Sequence, residues 1–205
     1  MSGPGHATHA TVHWAGGRQP LRMVTSVESA AEPSLAYLIA PIRSLAERTG
    51  RAMDEMGGVE IAPVTIYLTS LPPPPELGAS EPTAALARPF PDECEVVFYW
   101  SPEGESYDFL MFTLAHELFH CISAKSFLSV YNHESAIWWS EGSAEYFAHL
   151  AYPGTSFSDG DIAEFDAGSP TQPLWNFTYS SVPFFFWLGQ NEGPSAVSRL
   201  VHGLA

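Results

Sequence analysis

The chain has 205 residues, enough to bury a sizeable core in one domain, and with 45% apolar and 13% aromatic residues it is too hydrophobic to be a disordered polymer. Its 23 acidic residues against 8 basic ones give a formal net charge of −15, which repels phosphate backbones and argues against nucleic acid as a partner. No apolar run approaches the roughly 20 residues that cross a bilayer, so no membrane span is expected.

Residues 1–8 read as a flexible tail, and the first fourteen residues lack the charged and apolar segments of a secretory leader. His6, His9 and His13 have no carboxylate or cysteine between them, so they read as a solvated terminus rather than a second metal site. A short strand is expected at residues 11–14. A helical region follows over 33–56: Pro33 suits a helix start, Pro41 implies a kink or a break, and Gly57-Gly58 ends it. The β-branched run VEIAPVTIYLT at 59–69 is a strand. Prolines 72–75 form a stiff surface connection. A short edge strand is expected somewhere between 83 and 88, and EVVFYW at 95–100 is another strand.

From residue 106 the pattern becomes helical. Apolar residues at helical spacing predict helices over 107–127 and 135–151. Residues 152–178 read as a loop, punctuated by Gly154, Gly160, Gly168, Pro170 and Pro173. Two short helices are expected near 180–190 and 194–204. No stop signal follows the last, so the native chain has room to continue. The expected architecture is a single α+β domain over 1–205, with a strand-rich half at 9–105 and a helical half at 106–205.

The chemistry is concentrated in the helical half. Residues 116–120 read HELFH, and on a helix His116 and His120 share one face, at a spacing that suits two corners of a zinc tetrahedron. Glu117 falls beside them, free to act as general base. The flanking Leu114, Ala115, Leu118, Phe119 and Ile122 are apolar, as expected of a buried active-site helix. Residues 138–146 read WWSEGSAEY, so the next helix offers Glu141 as a third possible ligand. Glu145 lies one turn further on the same face, placed to accept the second N–H of His116 and fix its tautomer. Trp138 and Trp139 are expected to wedge this helix against the core.

A histidine six residues after His120, preceded by a glycine, would mark the metzincin pattern. Those positions are Ser126 and Ser123, which excludes it. Cys94 and Cys121 can form one disulfide or stand as two thiols, and the spacing does not decide. Cys121 directly follows His120, yet a fourth protein ligand would close the position that water needs, so it reads as a packing residue.

HELFH at 116–120 and WxxEGxAEY at 138–146 resemble the gluzincin metallopeptidases, the superfamily that includes thermolysin and the aminopeptidase branch. Weaker similarity runs on through YSSVPFFFWLGQNEGPSAVSRL from Tyr179. The resemblance implies a zincin-like fold, with a small twisted mixed sheet packed on the histidine-bearing helix. It further implies Zn2+ held by His116, His120 and Glu141, and hydrolysis of a peptide or protein substrate with Glu117 as base. Tyr179 is the implied electrophile, with Tyr146, Tyr152 and His149 as substitutes. The aminopeptidase branch also carries a Gly-x-Met-Glu-Asn string that captures the substrate amine. None precedes His116, so an endopeptidase is expected in preference to an aminopeptidase. The alternative is a zinc-binding scaffold with little or no catalysis. Secreted proteases are common in the superfamily and lysine is nearly absent here, so the expected compartment is extracellular or the cell envelope.

Overall fold

The computed structural model describes residues 10–13, 20–25, 38–69, 85–90, 92–99, 106–127, 136–155 and 158–204. The expected tail at 1–8, with His6 and His9, and the proline run at 72–75 lie outside them. Five strands form one mixed sheet: β1 (Ala10–His13), β2 (Pro20–Thr25), β3 (Val64–Thr69), β4 (Ala85–Pro89) and β5 (Cys94–Tyr99), in the order β1-β2-β3-β5-β4. The pairs β2–β3 and β3–β5 are parallel, while β1–β2 and β4–β5 are antiparallel.

Helix α1 (Ile39–Met56) makes the crossover from β2 to β3. Pro41 neither kinks nor breaks the described helix. It sits in the first turn, where its missing N–H has no intrahelical partner to lose. The strand expected from residue 59 begins at Val64 instead, since Pro63 has no N–H to give a ladder; its carbonyl accepts from the Cys94 backbone N–H at 2.9 Å. Val64, Ile66 and Leu68 of β3 and Val96 and Phe98 of β5 are fully buried, so period-two alternation presents one apolar face. The expected edge strand is present as β4. β2 was not anticipated, because Pro20 and Arg22 interrupt its apolar pattern.

Against that face lies α2 (Tyr107–Ser126), started by Ser106, whose hydroxyl accepts from the Phe109 N–H at 3.2 Å. Every residue from Leu118 to Ser123 is buried, as in a helix surrounded on all sides. Helix α3 (Ile137–Ala151) packs on α2. The stretch expected to be loop contains α4 (Asp159–Gly168). No residue of α4 is buried, so it lacks the apolar stripe that would have marked it in sequence. Asp159 and Asp161 instead suit the positive end of its dipole. Helices α5 (Val182–Glu192) and α6 (Pro194–Leu204) close the chain near their expected places. Among the described residues no helix is long and apolar enough to cross a membrane.

Cys94 and Cys121 form a disulfide, one of the two states their spacing left open. Cys94 opens β5 and Cys121 lies on the side of α2 that meets the sheet. Their Cα atoms stand 5.7 Å apart across 27 residues of sequence, a relation that spacing alone does not encode. Both are buried, so Cys121 is a packing residue as well as a bridged one.

Candidate metal centre

His116 and His120 are stacked one turn apart on α2, and both are buried. Glu141, in the second turn of α3, faces them. The Nε2 atoms of the two histidines are 3.0 Å apart, and Oε2 of Glu141 lies 3.1 Å from His116 Nε2 and 3.5 Å from His120 Nε2. Ligands about 2.0–2.1 Å from a tetrahedral zinc stand roughly 3.3 Å from one another, so this triangle has the size of one face of such a site. Two nitrogens and one carboxylate oxygen are also the donor types zinc accepts. The three residues can therefore hold a metal ion between them.

The electrostatics favour a cation at the same point. Burial opposes charge on the His116 imidazole, but the hydrogen bonds and negative charges of Glu141 and Glu145 outweigh it and raise its pKa well above the ordinary value. Burial likewise opposes the charged form of Glu141, yet His120 and His116 hold its carboxyl far below the usual carboxylate range. Two carboxylates around two imidazoles demand positive charge, which a proton or a divalent ion can supply.

Behind the triangle, Oε1 of Glu145 stands 3.1 Å from His116 Nδ1, an ion-pair distance at an oblique angle. Its Oε2 accepts from the hydroxyl of buried Ser158 at 2.8 Å. That hydroxyl has one proton, so in its 2.9 Å contact with Nε2 of His149 the histidine must be the donor. Burial lowers the pKa of His149 despite the charges of Glu145 and Asp159. Its ring is wedged between Phe112 and Phe186, with centroids 4.8 and 5.0 Å away.

In front of the triangle a cleft of about 400 Å³ opens between β4, α2 and α3, lined by residues that include Ala85, Leu86 and Ala87, Glu117, Trp139 and Tyr179. Oε2 of Glu117 accepts the backbone N–H of Ala87 at 2.6 Å. The Tyr179 ring centroid lies 5.8 Å from that of His116, and its hydroxyl is within reach of Glu141. Burial, then the charges of Glu141, Glu117 and Glu145, push its pKa up, so the phenol keeps its proton.

The other candidates face elsewhere. Tyr146 is buried, its pKa pushed up to about 12 by burial and the charge of Glu55. Tyr152 donates to Asp108 at 2.7 Å and His149 is committed to Ser158. Trp139 is a core residue that also lines the cleft, and Trp138 stacks on Phe185 with centroids 6.0 Å apart.

Tyr179 is held in place by a close approach of α5 to α3. The Ser181 hydroxyl shares its one proton between the Trp138 carbonyl and the Thr178 carbonyl, the latter at 2.7 Å. A Cβ on Gly142 would sit 2.0 Å from Ser181 Oγ and 2.7 Å from the Phe185 ring, so only glycine fits beside Glu141. A glycine inside a helical pattern is a legible sign of such an approach. His149, expected as a substitute for Tyr179, instead meets Ser158. Ser158 and the Ala87 N–H were not anticipated, since Ser158 lies outside any motif and a backbone donor has no signature in sequence.

No protein-family profile and no curated protein matches the chain. Among solved structures it is similar to an aminopeptidase N family protein from Idiomarina loihiensis, at 12% identity and a TM-score of 0.57. The match covers 98% of this chain and 41% of that one, so the chain spans about two-fifths of the neighbour's length. At that identity the likeness shows the fold alone: an α+β arrangement, mostly helical with a small mixed sheet, shared with a peptidase-family structure.

Proposed function

We propose that this chain is a zinc-dependent peptidase of the gluzincin type. The observation that carries the reading is the convergence of His116 Nε2, His120 Nε2 and Glu141 Oε2 within 3.0–3.5 Å, on the wall of a cleft that also holds Glu117 and Tyr179. Zinc, when bound, supplies a Lewis acid for the scissile carbonyl and makes water acidic enough to ionise near neutral pH. Glu117 takes the proton of the attacking water and passes it to the leaving amine. The protonated phenol of Tyr179 donates to the oxyanion as it develops. Glu145 orients His116 and raises its basicity as a ligand.

The substrate is an extended peptide lying along the outer edge of β4. Internal bonds are favoured over terminal ones. Of the two carboxylates that line the cleft among the described residues, Glu141 faces the histidines and Glu117 accepts from Ala87, so neither of these is left over to pair with a substrate ammonium. The disulfide supports an oxidising, extracellular or cell-envelope setting.

Elemental analysis of the purified protein, paired with a peptide-library digest read by mass spectrometry, tests this. The expected result is one equivalent of zinc and internal cleavages that stop when a chelator is added. Zinc without cleavage would make the chain a metal-binding scaffold, and a protein that retains no zinc would overturn the reading.

A further inference from the structure

We infer that the backbone N–H of Ala87 positions the carboxylate of Glu117, and that Ala85 is therefore the one N–H donor that the described edge of β4 offers an extended substrate. The second clause rests on the peptidase reading above; the first does not.

Strand β4 ends the sheet, paired with β5 on one side. In an antiparallel pair, successive residues point their N–H and C=O alternately toward the partner and away. The Ala87 N–H points away, because it reaches Glu117. Leu86 and Arg88 therefore face β5, opposite Val97 and Glu95, while Ala85, Ala87 and Pro89 face outward. Pro89 has no N–H, and that of Ala87 is bound to the Glu117 carboxylate at 2.6 Å. Of the outward donors in the described strand, this leaves Ala85.

Two consequences follow for the cleft, whose wall includes residues 85–87. A peptide can exchange both backbone bonds with Ala85, while Ala87 and Pro89 can only accept, through their outward carbonyls. With Oε2 engaged, Oε1 is the Glu117 oxygen left to meet water. The half-buried Glu117 side chain thus takes its orientation from the strand that also receives the substrate.

The bond is read directly from the Ala87 amide resonance, in zinc-free and in zinc-loaded protein. In Glu117→Ala that resonance should move upfield and exchange faster with solvent; an unmoved resonance would overturn the inference whatever the protein cleaves. The kinetic arm uses an internally quenched peptide built on a cleavage site from the library digest. Ala87→Pro removes the donor at an outward position that an edge strand tolerates. It should lower kcat by about 10²-fold through misplacement of the base, with KM little changed. Ala85→Pro should raise KM and leave kcat nearly intact. A higher KM with unchanged kcat in Ala87→Pro would make its N–H a substrate donor and overturn the proposal. If Ala87→Pro does not fold, the amide readout decides alone. If the wild-type protein cleaves nothing, the peptidase reading and the substrate grip fail together, while the amide result still decides what holds Glu117.

Discussion

Oε1 of Glu145 stands 3.1 Å from Nδ1 of His116, and its other oxygen is held by Ser158. A ligand that cannot rotate binds metal better, and losing such a support typically costs 10- to 100-fold in metal affinity, on the order of 1–3 kcal/mol. Glu145→Ala should weaken zinc binding by about that factor in competition with a chelator. Ser158→Ala should act in the same direction but less, because it removes one support of the support. Wild-type affinity in Glu145→Ala would show that His116 is held by packing alone.

Glu117→Gln separates binding from chemistry. The variant keeps the shape of the side chain and an acceptor for the Ala87 N–H, so zinc content should stay at one equivalent. Turnover should fall by roughly 10²–10⁴-fold, the range for loss of a general base. Retained turnover would remove Glu117 from that role.

The disulfide joins β5 to the metal-site helix one residue past His120. Closing a loop of 27 residues restricts the unfolded chain, and such a bridge stabilises by about 2–4 kcal/mol. Cys94→Ser with Cys121→Ser should lower the Tm, and a reductant should lower the wild-type Tm without changing that of the double variant. Equal stability with and without reductant in the wild type would show that the bridge contributes nothing.

Gly142→Ala sets two effects against each other. Helix propensity favours alanine by about 1 kcal/mol. The new methyl would fall 2.0 Å from Ser181 Oγ and 2.7 Å from Phe185, in a packed region, and overpacking there costs typically 1–3 kcal/mol. The clash should win. Net destabilisation is expected, together with loss of activity as the turn carrying Tyr179 is pushed out. A stabilised, fully active variant would show that α5 yields freely.

Asp161, on α4, gives a pH test at a residue that is not itself a candidate ligand. Partial burial, then the charges of Glu145 and Glu164, raise its pKa from 3.8 to about 6. A carboxyl whose pKa is higher folded than unfolded costs stability when ionised; the cost is complete above pH 6 and vanishes below 3.8. Asp161→Asn should therefore raise the Tm at pH 7.5 and give no gain at pH 3.5. The side chain is only partly buried, so solvent screening limits the gain to about 1 kcal/mol or less. An equal gain at both pH values would assign it to something other than charge.

The metal triangle was legible because helical spacing fixes which residues share a face. His116 and His120 at four residues, and Glu141 and Glu145 at four residues, each define one side of a helix before any contact is known. Strand β3, strand β5 and the two long helices were legible for the same reason, through their apolar periodicity. What sequence did not show is long-range or unpatterned. The Cys94–Cys121 pairing depends on how α2 crosses the sheet. Helix α4 buries no residue and so carries no stripe. Pro41 was read as a helix breaker because its place in the first turn depends on where the helix begins.

The far side of β4 also bears on how copies of this chain behave at high concentration. An exposed sheet margin is a template on which other chains can stack and aggregate. Here one outward position is a proline and the next has its amide occupied by a glutamate from the same molecule. A second copy would find few donors along the described edge on which to dock its own strand. The contact that holds the Glu117 carboxylate thereby also discourages self-association at the mouth of the cleft.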